Sequence, residues 1–190
     1  MVELILFGGN LPNLIFEGID RIGKTTIIDA LDDGTYSRIK MNAPDSLSKT
    51  YYEYLKYFDK LSQRRVRDLI YDRGHLSEWV YGSLYRRTWH NADNKLLPKW
   101  IRNMERHLIR CQNDYHVGPT IIVYVEPYRF DIMQEDDRPN ANRHREVAAY
   151  EHALYHLTEL PIVRIRTQDD SGWRPIDEIV LDLKEKLKHV

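Results

Sequence analysis

Asn13-Leu-Ile-Phe-Glu-Gly-Ile-Asp-Arg-Ile-Gly-Lys-Thr-Thr26 decides the fold. Its first five residues are short, apolar and bounded by turn formers, the pattern of a strand buried on both faces. Gly18-Ile-Asp-Arg-Ile-Gly23-Lys24-Thr25 then fits G-x-x-x-x-G-K-S/T. Lys24 to Leu31 reads as a helix, stopped by Gly34. Strand, glycine-rich turn and helix together make a phosphate cradle. Loop N–H groups of Gly18, Ile19, Asp20, Arg21, Ile22 and Gly23 face the oxygens, and the helix adds its positive N-terminus. Lys24 is placed to reach the β- and γ-phosphates. The Thr25 hydroxyl, followed by Thr26, is placed to ligate Mg²⁺. The expected ligands are ATP, or a related triphosphate, and Mg²⁺. Arg21 puts a cation inside the loop, where charge develops during transfer.

Working outward, further apolar runs lie at 38–41, 68–71, 120–125 and 162–166, with helical patterns near 46–62, 76–90, 96–113, 142–159 and 176–188. Strands alternating with helices predict an α/β fold of the P-loop NTPase kind. Its sheet has five strands, mainly parallel, with helices on both faces. Val2 to Phe7 is a candidate extra strand. No repeat, linker or low-complexity tract divides residues 1–190, so a single kinase-type domain is expected. Residues 134–145 (QEDDRPNANRHR) read as a mobile polar lid.

The second informative stretch is Tyr71-Asp-Arg-Gly-His-Leu-Ser77, with Tyr81 four residues on. Asp72 ends a strand, where it can hold Mg²⁺ at the crevice beyond the sheet. Arg73 can fork onto a phosphate. Arg138, Arg143 and Arg145 of the lid are candidates to close over the phosphates and offset transition-state charge.

The string from Phe16 to Thr26 resembles thymidylate kinases, most closely those with Asp-Arg inside the loop. The 72–81 segment resembles the same family's D-R-x-x-x-S pattern with a downstream Tyr. The resemblance implies that Asp20, Arg73, Ser77 and Tyr81 bind the acceptor nucleotide. It implies a lid, a C-terminal loop 168–173 bordering the adenine, where Trp173 is a candidate for stacking, and a homodimer. Residues 42–67 depart from the family pattern. Phe58, Arg64, Arg65 and Arg67 are candidates there for the base-stacking and acceptor-phosphate roles by position only.

The leading expectation is transfer of the γ-phosphoryl of MgATP to a deoxynucleoside monophosphate, thymidylate or an analogue. Such an acceptor is already an anion and needs alignment rather than a general base. An alternative is transfer to a deoxynucleoside 5′-hydroxyl, which requires a base; Glu17 is the candidate. A third is a kinase acting on a hydroxyl of a DNA polymer, and a fourth a non-catalytic nucleotide-binding module. A switch GTPase is disfavoured by the lack of an N-K-x-D-type segment.

Composition sets the remaining bounds. The 190 residues carry 28 Lys plus Arg against 29 Asp plus Glu, so a uniformly basic nucleic-acid binder is not expected. Residues 56–115 nevertheless hold 13 basic and 7 acidic side chains, and this region is a candidate nucleic-acid contact. Within it Trp79, Trp89 and Trp100 sit among Arg86, Arg87, Lys99, Arg102, Arg106 and Arg110. The aromatic run Tyr51, Tyr52, Tyr54, Tyr57, Phe58 reads first as a packed helix face. His152 and His156 have metal-face spacing but no third ligand. One cysteine, Cys111, excludes an internal disulfide. No apolar run approaches the ~20 residues of a membrane span, and Met1 to Gly9 lacks the basic start of a signal peptide. A cytoplasmic location is expected.

Overall fold

The computed structural model describes residues 11–32, 34–41, 47–62, 68–86, 92–115, 118–133 and 140–190. The candidate strand Val2 to Phe7 lies outside them. Five parallel strands form one sheet: β1 (Asn13–Glu17), β2 (Tyr36–Lys40), β3 (Asp68–Asp72), β4 (Thr120–Glu126) and β5 (Ile162–Arg166), in the spatial order β2-β3-β1-β4-β5. This is the α/β fold of the P-loop type that the sequence predicts.

Burial follows position in the sheet. β1 is buried along its whole length, as is β4 up to Val125, and both are near-continuous apolar runs. The edge strands β2 and β5 alternate, with Arg38 and Lys40 outward on one and Arg164 and Arg166 on the other. Such an edge carries its charges toward water and resists pairing with another chain.

The helices form two groups. α1 (Lys24–Leu31) packs with α6 (Ile176–Leu187). The second group joins α2 (Leu47–Ser62) to α4 (Ala92–Tyr115) and α3 (His75–Tyr81) to α5 (Asn140–His156). Tyr54, Tyr57 and Phe58 of α2 are buried and meet one another and Trp100 edge to face. These three of the run are therefore core packing, while Tyr52 is exposed, and Phe58, a candidate for base stacking, is spent in the core.

Two boundaries differ from expectation. The helix predicted over 76–90 stays α-helical only to Tyr81, then widens into a π-helical turn over Gly82–Arg86. Residues 140–145, the end of the expected lid, belong to α5, which begins two residues before the helical pattern at 142–159. Ala141, Arg143 and Arg145 favour helix, and a helix needs little apolar content to persist when one face packs.

Chain order explains where a ligand sits. From β1 the chain goes to one side for β2 and β3, then crosses to the other for β4 and β5. The carboxyl end of β1 lies where that direction reverses, the usual binding crevice of an open parallel sheet.

Candidate active site

The loop leaving β1 is shaped by residues that few alternatives could replace. Gly18 has φ 134°, and a Cβ there would lie 2.6 Å from the carbonyl oxygen of Val125. Gly23 has φ 92° and closes the turn onto α1. Among the described residues only two non-glycines are left-handed, Arg21 (φ 61°) and Arg73 (φ 75°). Such backbone costs about 1–3 kcal/mol and persists where the surroundings enforce it. Both arginines border the same cavity of about 520 Å³.

Lys24 is buried, and its ammonium donates to the carbonyls of Gly18 (2.7 Å) and Ile19 (2.5 Å). The Thr25 hydroxyl donates to Asp72 Oδ2 at 3.3 Å, although 47 residues separate the two. A hydroxyl and a carboxylate thus converge at the start of α1, beside the cavity. These are hard oxygen donors. Mg²⁺ typically takes one or two such protein ligands and completes its shell with phosphate and water. The pair therefore fits the metal expected of it. Arg38 Nη2 lies 3.5 Å from the same Asp72 oxygen, and Arg38 is also paired with Asp29.

On the other side of the loop, Asp20 pairs with Arg73, whose guanidinium lies 5.1 Å from the centre of the Tyr81 ring. The Asp20 N–H donates to Tyr81 Oη at 3.1 Å. Three of the expected acceptor residues, Asp20, Arg73 and Tyr81, are thus brought together. Tyr81 and Tyr85 stack at 6.1 Å and both donate to buried Glu146, at 3.3 and 2.6 Å. Tyr81 ends α3 and Tyr85 belongs to the π-helical turn that follows. Glu146 carries no motif signal and was not anticipated.

Ser77 and Glu17 are placed differently from expectation. Both are buried, and neither borders the cavity. The Glu17 carboxylate accepts from the N–H groups of Leu76 (3.0 Å) and Ser77 (3.2 Å) and from the Ser77 hydroxyl, which also meets Tyr150 Oη at 2.8 Å. Glu17 therefore satisfies the first turn of α3, and Ser77 completes that bond rather than lining a nucleotide pocket. Burial raises the Glu17 pKa above the usual carboxylate range, against the lowering effects of His75 and of the Ser77 bonds.

The sign of that shift gives a prediction. The native state takes up the Glu17 proton before the unfolded chain does. Its contribution to stability is full below the unfolded pKa and is lost as pH rises through the folded one. Glu17→Gln keeps an oxygen for the two N–H donors and removes the titration. The variant is expected to unfold within about 1 kcal/mol of the parent at neutral pH. Its stability curve should be flatter than the parent's from the ordinary Glu range upward. Urea unfolding at several pH values checks this; an unchanged slope would remove Glu17 as the titrating group.

Toward β5, a hairpin of β6 (Gln168–Asp169) and β7 (Gly172–Trp173) replaces the open loop expected over 168–173. Thr167 Oγ1 donates to the Ile22 carbonyl at 2.9 Å, joining the hairpin's base to the phosphate loop. Trp173 is half-exposed and borders the cavity, and its indole N–H donates to the Ile132 carbonyl at 3.2 Å. Ile176 and Ile179 add apolar wall there. This end suits a flat aromatic group, and the other end suits anions. Arg21, Lys24, Lys40 and Arg73 border the cavity with Asp20 and Asp72; Arg174, next to Trp173, borders it too and is held by the Arg166 carbonyl (2.8 Å) and Asp182 (3.4 Å). Lys40 and Arg174 were missed in the sequence because neither belongs to a recognisable spacing.

The remaining candidates disperse. Arg138, Arg64, Arg65 and Arg67 lie outside the described residues, as do Arg87 and Trp89. Arg143 is buried in α5 and Arg145 is exposed, and neither borders the cavity. Trp79 is core, while Arg102, Arg106 and Arg110 stand on the exposed side of α4, Arg106 paired with Glu159 at 2.8 and 2.9 Å. No group of three or more metal-ligating side chains occurs among the described residues. No helix among them is long and apolar enough to cross a membrane.

No protein-family model matches the chain, and no curated protein matches it. Solved structures do. One is the YorR protein of Bacillus subtilis in complex with phosphorylated GDP: 17% identity, TM-score 0.60, covering 93% of this chain and 96% of that one. Another is polyphosphate kinase 2 from Arthrobacter aurescens TC1: 17% identity, TM-score 0.62, covering 96% and 70%. At this identity the likeness is one of fold, and it extends over nearly the whole chain.

Proposed function

We propose that the protein is a phosphotransferase that moves the γ-phosphoryl of MgATP to a nucleotide already bearing a phosphate, a deoxynucleoside monophosphate such as thymidylate or an analogue. The observation that carries this reading is one cavity lined by cations from two parts of the chain. Lys24 and Arg21 come from the phosphate loop and Arg73 from the residue after β3, and the Thr25–Asp72 pair borders the same cavity.

The chemistry follows from that arrangement. Lys24 exchanges the Gly18 and Ile19 carbonyls for the donor's phosphate oxygens. Thr25 and Asp72 would hold Mg²⁺, which neutralises charge on the β- and γ-phosphates. Arg21, aimed by its left-handed backbone, meets the charge that builds on the migrating group. Arg73, released from Asp20, aligns the acceptor phosphate for in-line attack. Trp173 offers a face to the donor base. Transfer to a hydroxyl needs a base beside the acceptor. Burial of Glu17 beneath α3 speaks against that alternative.

The test is ADP release from ATP and Mg²⁺ with each deoxynucleoside monophosphate, each deoxynucleoside and a mixed DNA oligonucleotide. Selective turnover with one monophosphate is expected. Turnover only with nucleosides or DNA would overturn the proposal. Because polyphosphate kinase 2 shares the fold, the panel is repeated with polyphosphate as donor; activity with it in place of ATP would overturn the donor assignment.

A further inference from the structure

Lys40 is the last residue of the edge strand β2, and its register partner on β3 is Asp72. Pairing continues past it: the Met41 N–H donates to the Asp72 carbonyl at 3.3 Å. The Lys40 backbone is therefore held beside the strand end that carries Asp72 and Arg73. Its side chain is exposed and borders the cavity with both.

The charges around it are already committed. Asp72 takes the Thr25 hydroxyl and lies against Arg38. Asp20 is paired with Arg73. Among the described residues Lys40 makes no ion pair. A cation facing a cavity without a counter-ion is a place for an anionic ligand group.

Position says which group. Lys24 and Thr25 open α1, at the far side of the loop that leaves β1, and β3 lies between β1 and β2. Adjacent strands are about 4.8 Å apart, so the end of β2 is roughly 10 Å from that of β1. A donor triphosphate seated on the loop runs from the Trp173 end toward Thr25. The in-line acceptor then lies beyond the γ-phosphate, on the side of β3 and β2. Of the cations that border the cavity, Arg73 and Lys40 are on that side; Arg38 of β2 is held instead by Asp29 and Asp72.

We infer that Lys40 is a ligand of the acceptor's phosphate, forming with Arg73 a two-cation clamp that selects phosphate monoesters over uncharged nucleosides. This rests on the proposed function and extends it to substrate class. A dianion held by two cations loses more when one is removed than a neutral acceptor does, because a charge-assisted bond is about twice as strong as a neutral one.

The test is equilibrium binding without turnover. Calorimetric titrations of the full chain use thymidine 5′-monophosphate, the other three deoxynucleoside monophosphates, thymidine and MgADP. Lys40→Met is expected to raise the Kd of the bound monophosphate about tenfold, the loss of one charge-assisted bond. The Kd values of MgADP and of any nucleoside that binds should stay within about twofold, and Lys40→Arg should recover most of the loss. Lys40 is exposed on an edge strand, so both variants are expected to unfold at the parent's temperature. Unchanged monophosphate affinity in Lys40→Met, with the parent binding normally, overturns the clamp alone. Equal weakening of MgADP overturns it too, by moving Lys40 to the donor. A parent that binds no monophosphate overturns the proposed function and the clamp with it.

Discussion

Lys24→Met lowers turnover by about three orders of magnitude, the expected cost of removing a preorganised donor from developing negative charge in a closed site. The side chain is buried and fixed, with its ammonium on the carbonyls of Gly18 and Ile19. Those two bonds hold the ammonium at the loop before the donor arrives. They also make it a poor place for arginine. The turn fits a compact ammonium with three donors; a planar guanidinium is wider and cannot point all its bonds at the same two oxygens. Lys24→Arg is therefore expected to be nearly as inactive as Lys24→Met. Met is close to Lys in length and apolar, so the fold should survive. Steady-state ADP release measures the loss, and thermal unfolding verifies that each variant is folded. Activity above a tenth of the parent's in Lys24→Met would remove Lys24 from the reaction and, with it, the phosphate-loop reading of residues 18–25.

What was legible in the sequence was what local chemistry dictates. Gly18, Gly23, Lys24 and Thr25 stand at fixed spacing because the loop must turn tightly around an anion, so β1 and α1 were bounded almost to the residue. β3, β4 and β5 are short apolar or alternating runs, and strands of five to seven residues leave little room for error. The apolar run at 38–41 starts two residues after β2 does, because polar Ser37 interrupts the pattern and joins the strand by pairing with Leu69. Glu17 is a candidate base in the sequence, for transfer to a hydroxyl, because it ends a strand. Only the tertiary structure brings the first turn of α3, some 60 residues on, against its carboxylate. Lys40 and Arg174 were illegible for the same reason. Each is an isolated cation in sequence, and only the sheet and α6 turn them to one cavity.

Removal of the Glu105 carboxylate should cost as much stability as emptying a large side chain from the core. Glu105 of α4 is fully buried. Its carboxylate accepts from His75 Nε2 (2.6 Å), Thr158 Oγ1 (2.8 Å) and the Glu159 N–H (2.5 Å). His75 is itself buried between Tyr57 and Phe58, and its Nδ1 lies 3.4 Å from Tyr57 Oη. Burial holds the Tyr57 phenol well above its ordinary pKa, so it stays a donor. One carboxylate thus joins α2, α3, α4 and the turn after α5. Glu105→Ala strands three donors, each costing about 1–3 kcal/mol when buried without a partner, and some relief from water gives roughly 4 kcal/mol in all. For a domain of this size that lowers Tm by about 8–16 °C. Glu105→Gln retains an acceptor for His75 but turns an amide N–H toward a second donor, so it should fall between the two. The loss also has a direction. His75 opens α3 directly after Asp72-Arg73-Gly74, and Tyr54 Oη donates to the Gly74 carbonyl at 3.0 Å. Loosening this end of α3 frees Arg73 before it disturbs the phosphate loop. Below its Tm, Glu105→Ala is therefore expected to keep its affinity for MgADP while acceptor KM rises several-fold. Hydrogen exchange should quicken at the amides of α3 and stay slow in α1. A Tm within 2 °C of the parent would show that water satisfies those three donors, and that the junction contributes little to holding Arg73.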